Sequence, residues 1–574
     1  MASPSPPIPS PSPCPPPPPS LPSSPTPSSP GPSVLPPPPS LPPTGEVMVL
    51  ALGRKRQRLL LFLSVLPNLF LSFLLSSDPL LTLSPPHRCR LPVPSPSPQL
   101  LNSSLPWETG SHPGDPGHWS QCQQYEFVNG SQVGLEACES GWEYNVTEGL
   151  RNNIVTEWDL VCGQYWLVPV EEVCFILGLL TGFLTLGYAA DRLGRLKTLL
   201  ASLSLSVIFG VLVCVCPSPA AFIVTRFCLA AVTAGVFLTL YVTRVELCDP
   251  SLRLPVTMAA GLTTVAGELL LLGVALGCQS WRGLLGVGVA PLSLFLSYGM
   301  PGVFPESPRW LLLSERPSDL HSFSDRRERD DDSFTELESE APPSGRPHLS
   351  FPELLRSRNI WKNLCVLGFT SFISHGINHC YSSFRGDVRG TAPSFYWTYL
   401  LSVCAGGGAW LLLWATVDRC GRRGILLLTM TMTGLASLIL LGLMEYLTES
   451  AITVFSVLGL FSSQAAAFLS ILFTAEVIPT VIRGSGVGAV LALGCVGRLS
   501  SPLMDLRNRY GYFLHHVVYS SLALLAVLSI LLLPESKRKP LPQTLADGEQ
   551  YRRPPLGRRR RDNVPLLATP NPET

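Results

Sequence analysis

The feature that most narrows what this chain can fold into is a charged hairpin set between two apolar runs. GYAADRLGRLK, Gly187–Lys197, separates the run Leu167–Leu186 from the run Thr198–Cys216. Each run approaches the ~20 residues that a helix needs to cross ~30 Å of hydrocarbon. The hairpin itself cannot enter lipid, and its excess of Arg192, Arg195 and Lys197 over Asp191 marks the cytoplasmic side of a membrane. Gly187 and Gly194 permit a close backbone approach and a tight turn that a Cβ would resist. Two neighbouring membrane helices joined by a short inner turn follow from these residues.

The device recurs. Asp418–Arg423, DRCGRR, lies between the apolar runs Tyr396–Ala415 and Gly424–Leu443. Glu246 in RVELCDPSLR has a counterpart at Glu476 in AEVIPTVIRG, and Pro305–Ser307 returns as Pro534–Ser536. The counterparts lie 227 to 230 residues apart (191 and 418, 246 and 476, 306 and 535). Three pairs in register indicate a duplicated half, and halves of about six helices are the architecture of major facilitator transporters. Only 14% of residues are charged, against about 25% in soluble domains, so most of the chain belongs in lipid.

The expected fold is an all-α membrane protein of twelve transmembrane helices in two six-helix halves. The first half, 54–310, opens with Arg54, Lys55, Arg56 and Arg58 followed by Leu59–Leu75. Read from Met48 this stretch imitates a secretory signal. Its apolar part is longer than a signal core and no clean cleavage site follows, so it reads as the first membrane helix. Further spans run near Leu167–Ala189, Leu196–Cys216, Ala221–Val242, Leu254–Gly277 and Leu284–Phe304. The second half, 361–533, reads Asn363–Tyr381, Tyr396–Thr416, Gly424–Met444, Ile452–Phe473, Gly484–Leu503 and Phe513–Leu533. Residues 1–53 form a Pro/Ser-rich tail expected to be disordered. Residues 311–360 are a charged cytoplasmic linker and 534–574 a basic cytoplasmic tail. The basic flanks place both termini inside.

Between the first two spans, the polar segment 84–162 holds the sequons at Asn102, Asn129 and Asn145, together with Cys89, Cys122, Cys138 and Cys162. Their coincidence predicts an extracellular, glycosylated, disulfide-tied loop. Four cysteines allow three pairings, and the sequence does not choose among them.

No P-loop, nucleophile elbow, HExxH or dinucleotide fingerprint is present, so the sequence supports no enzyme and calls for no cofactor or nucleic acid. The informative polar residues are those inside the spans, since an ionisable group at mid-membrane costs about 2.5–3.5 kcal/mol and must face protein or water. Arg226, Glu268, His375, Asn378, His379, Gln464 and Arg498 are therefore the candidates for a substrate cavity. Glu268 is a candidate partner for Arg498 across it. His375 and His379 are four apart on one helix face, but no third ligand accompanies them and no metal site is expected. Glu171 and Glu172 read as interfacial. Asp191, Arg192, Arg195, Asp418, Arg419 and Arg422 form the gating hairpins, in which each Asp is expected to pair with arginines across the inner helix ends and so bias an alternating-access equilibrium.

At this point the residues resemble a known family. GYAADRLGRLK, the sequon-bearing first outer loop, PESPRWLL and PESKRK are similar to solute carrier family 22, the organic ion transporters, from about Gly53 to Arg553. RVELCDPSLR, SRNIWKNLCVLGF, LGLFSSQAAA and VPLLATPNP resemble an atypical branch of it. That resemblance implies a plasma-membrane receptor that takes up a secreted lipocalin, with its siderophore-bound iron, by endocytosis. The six residues DNVPLL, with Asp562, Leu566 and Leu567, match an acidic dileucine signal for endocytic adaptors at the C-terminal tail. The alternative is gradient-driven or exchange transport of small organic ions. By the resemblance, typical cation carriers have Asp where Arg498 stands, typical anion carriers have Arg where Cys495 stands, and Trp414 occupies the place of the second hairpin's leading Gly. An Arg in place of Asp repels organic cations, so the pocket is expected to favour anions.

Overall fold

A computed structural model describes residues 54–91, 103–108, 118–128, 131–138, 140–314, 357–387, 395–443, 446–505, 511–537 and 539–550. The tail 1–53, most of the linker, Asn102, Asn129, Asp562, Leu566, Leu567 and the His379 side chain lie outside the described residues.

Twelve membrane rods appear in the order expected. The first is α1–α3 (Arg54–Val65, Pro67–Leu75, Asp78–Leu81), interrupted at Leu66 and at Ser76–Ser77. After a short helix α4 (Ile154–Glu157) come α5 (Leu167–Leu193), α6 (Arg195–Cys214), α7 (Pro219–Leu247), α8 (Arg253–Gly277) and α9 (Trp281–Val289), the last continued as a 3₁₀ segment over Ala290–Gly299. A seven-residue helix α10 (Pro308–Ser314) ends the first half. The second half is α11 (Arg358–Asp387), α12 (Phe395–Cys420), α13 (Arg422–Leu443), α14 (Glu449–Val477), α15 (Arg483–Asp505) and α16 (Gly511–Ile530), followed by α17 (Leu545–Gln550). Among the described residues nine helices are long and apolar enough to cross a membrane. The sixth rod misses that measure because its helix changes type and the seventh because it carries Lys362, His375 and Asn378, while in the twelfth His516–Ile530 is a shorter apolar helix.

Packing within each half depends on missing side chains. A Cβ on Gly182 would sit 2.0 Å from the Ala231 carbonyl oxygen, and one on Gly497 would sit 2.1 Å from that of Phe372. These glycines let α5 meet α7, and α15 meet α11, at backbone distance, the usual means of helix association where lipid removes the hydrophobic drive. Gly194 and Gly421, at φ +108° and +86°, make the two hairpin turns.

On the face opposite the hairpins sits a small β domain. β1 (His87–Cys89) pairs with β6 (Trp142–Tyr144), β2 (Trp107–Glu108) with β3 (His118–Trp119), and β4 (Gln123–Val128) with β5 (Ser131–Ala137), all antiparallel. The disulfides are Cys89–Cys138 and Cys122–Cys162, which settles the pairing that spacing left open. Asn145 is exposed there. The domain is anchored at its end. Leu150, Ile154, Val155 and Leu160 bury in the first half's core. Glu157 accepts from Trp281 Nε1 at 2.8 Å and from Arg282 at 2.5 Å. Burial pushes the Glu157 carboxyl up, but the Arg282 and Trp281 hydrogen bonds outweigh it and hold the group below its ordinary 4.5.

Candidate functional site: a clamp between the halves and a polar centre

The hairpin face is built from two copies of one circuit. In the first half, Glu306 accepts from the backbone N–H of Arg195 and Leu196, capping α6, while Ser307 donates to Glu246 at 2.5 Å. In the second, Glu535 accepts from the N–H of Arg422 and Arg423, capping α13, and Ser536 donates to Glu476 at 2.6 Å. A carboxylate at a helix N-terminus satisfies orphan donors and meets the positive end of the dipole. The repeated PES triplet therefore has a physical role in each half, since its Glu caps a helix and its Ser fixes the buried carboxylate of the neighbouring rod.

Those two buried carboxylates anchor the arginines. Glu246, fully buried, pairs with Arg195 at 3.1 Å and with Arg483 of the other half at 2.9 Å. Glu476 pairs with Arg422 at 3.2 Å and faces Arg253 of the other half at 3.7 Å. Arg253 and Arg483 open α8 and α15 and stand at the same 230-residue offset as the glutamates. Each half thus sends one arginine to the other's carboxylate.

Each aspartate pairs with the arginine four residues on in its own hairpin. Asp191 pairs with Arg195 of its own hairpin at 3.2 Å. Its cross-half bonds go to the start of α15 instead of to an arginine: Gly484 N–H at 3.0 Å, Ser485 N–H at 2.7 Å and Ser485 Oγ at 2.7 Å. A helix N-terminus supplies preoriented donors and partial positive charge, so it substitutes for a cation. Asp418 pairs with Arg422 at 2.8 Å, and its side chain is 39% exposed. Arg192 lies over the Tyr188 ring and Arg419 is exposed, its carbonyl accepting from Lys537.

Two further contacts close this face. Gly187 and Gly484 meet so tightly that a Cβ on either would fall within 2.8 Å of the other's carbonyl oxygen. The chain beyond α16 returns as a strap. Leu541 buries among Val242, Val245, Ala475 and Val487, and the Pro542 carbonyl accepts from Thr480 N–H at 3.0 Å and from Arg483 at 3.3 Å. Glu549 then caps α11 through Asn359 N–H at 2.9 Å. On the opposite face, Glu148 accepts from Phe395 N–H at 2.5 Å and the Gly149 carbonyl from Tyr396 Oη at 3.1 Å, joining the β domain to α12.

Between the two faces lies a polar centre. Arg498 on α15 is exposed; Gly494, one turn before it, packs on the His375 ring of α11, and Cys495 and Leu499 share an apolar cluster with Phe175 of α5. Among the described residues Arg498 has no carboxylate within ion-pair distance. Glu268 on α8 makes no ion pair with it, and accepts from Ser76 at 3.4 Å. His375 Nδ1 is committed to the Ser371 carbonyl at 2.9 Å, which leaves Nε2 for the interior. Asn378 accepts from Ser463 at 3.3 Å, and Gln464 lies against Gly406.

Arg226 is elsewhere. It is 1% exposed, beneath the β domain, with Asp78 and Glu171 each 3.8 Å away. Glu171, interfacial by its sequence position, is 2% exposed. A place near the outer end of a span suggests an interface, but Arg226 of α7 lies against it and the side chain is buried. Asp78 carries no such signal of its own, although its neighbours Ser76 and Ser77 break an otherwise apolar run and mark the interruption.

The Sugar (and other) transporter family profile matches residues 165–544. The chain is 43% identical to human solute carrier family 22 member 17 over 90% of its own length and 85% of the relative's. It is 33% identical to human solute carrier family 22 member 23 over 90% and 82%. Among solved structures it is similar in fold to the proton:xylose symporter XylE bound to 6-bromo-6-deoxy-D-glucose, at 17% identity and TM-score 0.54, covering 67% of this chain and 89% of that one.

Proposed function

The chain belongs to solute carrier family 22, a major facilitator group, and from that premise we propose that it is an alternating-access carrier of small organic anions in the plasma membrane. The observation that carries the reading is Arg498, an exposed cation without an ion-pair partner among the described residues, set where helices of both halves converge. Such a guanidinium recognises a carboxylate through paired N–H donors. The intact clamp on the hairpin face supports carriage, because cross-half pairs that can break and re-form are what alternating access requires. On this reading the hairpin face and both termini are cytoplasmic and the β domain is outside, in contact with membrane lipid only at its base.

A second reading, the endocytic receptor for a lipocalin carrying siderophore-bound iron, is favoured by one observation. The β domain holds two disulfides and exposes Trp107, Val133 and Leu135, a surface that a secreted protein could use.

Both readings are tested in one pair of cell lines. Carriage predicts saturable uptake of labelled organic anions, abolished by Arg498→Ala with surface expression intact. Saturable lipocalin binding that needs residues 84–162, with internalisation reduced by Leu566→Ala and Leu567→Ala, establishes the receptor. Anion uptake indifferent to Arg498→Ala overturns the carrier reading.

A further inference from the structure

We infer that Asp78, Glu171 and Arg226 form a site that holds one proton, and that this proton binds more tightly when an anion occupies Arg498. The second clause rests on the anion-carrier reading. The first stands on geometry alone.

Arg226 Nη2 lies 3.8 Å from Asp78 Oδ1 and Nε lies 3.8 Å from Glu171 Oε1, while Nη2 donates to Ser77 Oγ at 2.9 Å and the guanidinium covers the Phe175 ring. Both Glu171 oxygens, Asp78 Oδ1 and Arg226 Nε lack a hydrogen-bond partner although they are buried. One guanidinium facing two carboxylates leaves a net negative charge in a water-poor place, an arrangement too costly to persist uncompensated. Asp78 and Glu171 flank the same guanidinium, one oxygen of each 3.8 Å from it. Two ionised carboxylates offer each other only acceptors. A proton on one of them supplies the missing donor, neutralises the excess charge and leaves Arg226 to balance the other.

No other group on the packed elements does this. α5 adds Glu172 and Cys174, α6 adds Cys214, α8 adds Glu268, which accepts from Ser76 and not from Asp78 or Glu171, α9 adds Arg282 and α15 adds Arg498. Among the described residues, only Arg226 comes within ion-pair distance of either carboxylate.

The link to transport runs through Asp78. Its side chain is 13% exposed, and Phe175, which lies under Arg226, and Leu75 pack in one apolar cluster with Cys495 and Leu499, the neighbours of Arg498 in the other half. A nearby cation opposes proton binding, and an anion seated on that cation cancels the opposition. By reciprocity the proton then favours the anion. Anion and proton thus load together, which makes the carrier a proton–anion symporter.

The test uses the full chain in lipid nanodiscs and infrared spectroscopy of the protonated-carboxyl C=O stretch at near-neutral pH. A band that shifts in D₂O is expected in the unmodified chain and in Glu172→Gln. It is lost in Glu171→Gln and, independently, in Asp78→Asn, each checked for folding by thermal melting. A band unchanged in both folded variants overturns the site. So does an absent band together with a melting temperature raised by Na⁺ only when Glu171 is present, which assigns the site to a metal cation. The coupling is read with benzoate as the anionic probe in weakly buffered solution. At the pH where the carboxyl band is half lost, net uptake of up to about half a proton per benzoate bound is expected, and its loss is expected in Glu171→Gln. Benzoate binding without proton uptake overturns the coupling. No benzoate binding overturns the coupling together with the anion reading, whereas the carboxyl band decides the proton site separately.

Discussion

Asp191 and Ser485, one from each half of the molecule, are joined by two hydrogen bonds of 2.7 Å from the Ser485 N–H and Oγ to the same carboxylate oxygen. The duplicated partner cannot match this. At the 230-residue offset, Gly484 and Ser485 correspond to Leu254 and Pro255, and Pro255 offers neither an N–H nor a hydroxyl. Asp418 accordingly stays 39% exposed and pairs locally with Arg422. The clamp is symmetric in its glutamates and one-sided in its aspartates.

Removing a buried carboxylate from the clamp should be costly. Glu246→Ala leaves Arg195 and Arg483 buried without their shared counter-charge, a loss of about 3–5 kcal/mol. Thermal melting in detergent is expected to show a large drop, with Ser307→Ala, which removes only one hydrogen bond to Glu246, giving about 1 kcal/mol.

The glycines separate stability from conformation. Gly182 packs within one half, so Gly182→Ala should lower stability by about 1–3 kcal/mol through overpacking. Gly187 packs against Gly484 of the other half, so Gly187→Ala is expected to spare the halves and open the hairpin face. Cysteine labelling at that face reads the opening, and melting reads the stability.

These contrasts show what is visible in sequence. The twelve rods, the two halves and the hairpins are legible because lipid demands long apolar runs and duplication repeats charges at a fixed offset. Arg498 and Glu268 are legible as charges inside apolar spans. The role of PES is not, since its Ser and Glu act on helices 61 and 111 residues away in sequence. The hairpin charges predict an arginine for Asp191, and Arg195 stands 3.2 Å away, but its bonds to the other half go to the Gly484 and Ser485 N–H groups, which no side-chain pattern announces. Glu171 is misplaced by sequence because its own helix gives its depth in the membrane and says nothing of what covers it.

The anchor of the β domain should resist mild acid. The Glu157 carboxyl is held below its ordinary 4.5 by Arg282 and Trp281. A depressed folded-state value means that its stabilising contribution is present above the unfolded value and is lost as pH falls through the lower folded one. Protease protection of the domain should be unchanged on moving from neutral to about pH 5 and fall only below about pH 4.5. Glu157→Gln should remove that step.

The strap beyond α16 should hold the hairpin face shut. Leu541→Asp places a charge where Leu541 is 4% exposed, between helices of the two halves. The expected result is protease sensitivity near Lys539 and faster cysteine labelling on the hairpin face, with the melting temperature of the bundle little changed.

The most direct test of the clamp is a distance between the halves at that face. Spin labels at the exposed positions Leu193 and Cys420, with other reactive cysteines replaced, report it in nanodiscs. The clamp predicts a single short-distance population that shifts to longer distances in Asp191→Asn and hardly moves in Asp418→Asn. Identical distributions in all three proteins would contradict the claim that Asp191 and the start of α15 hold the two halves together.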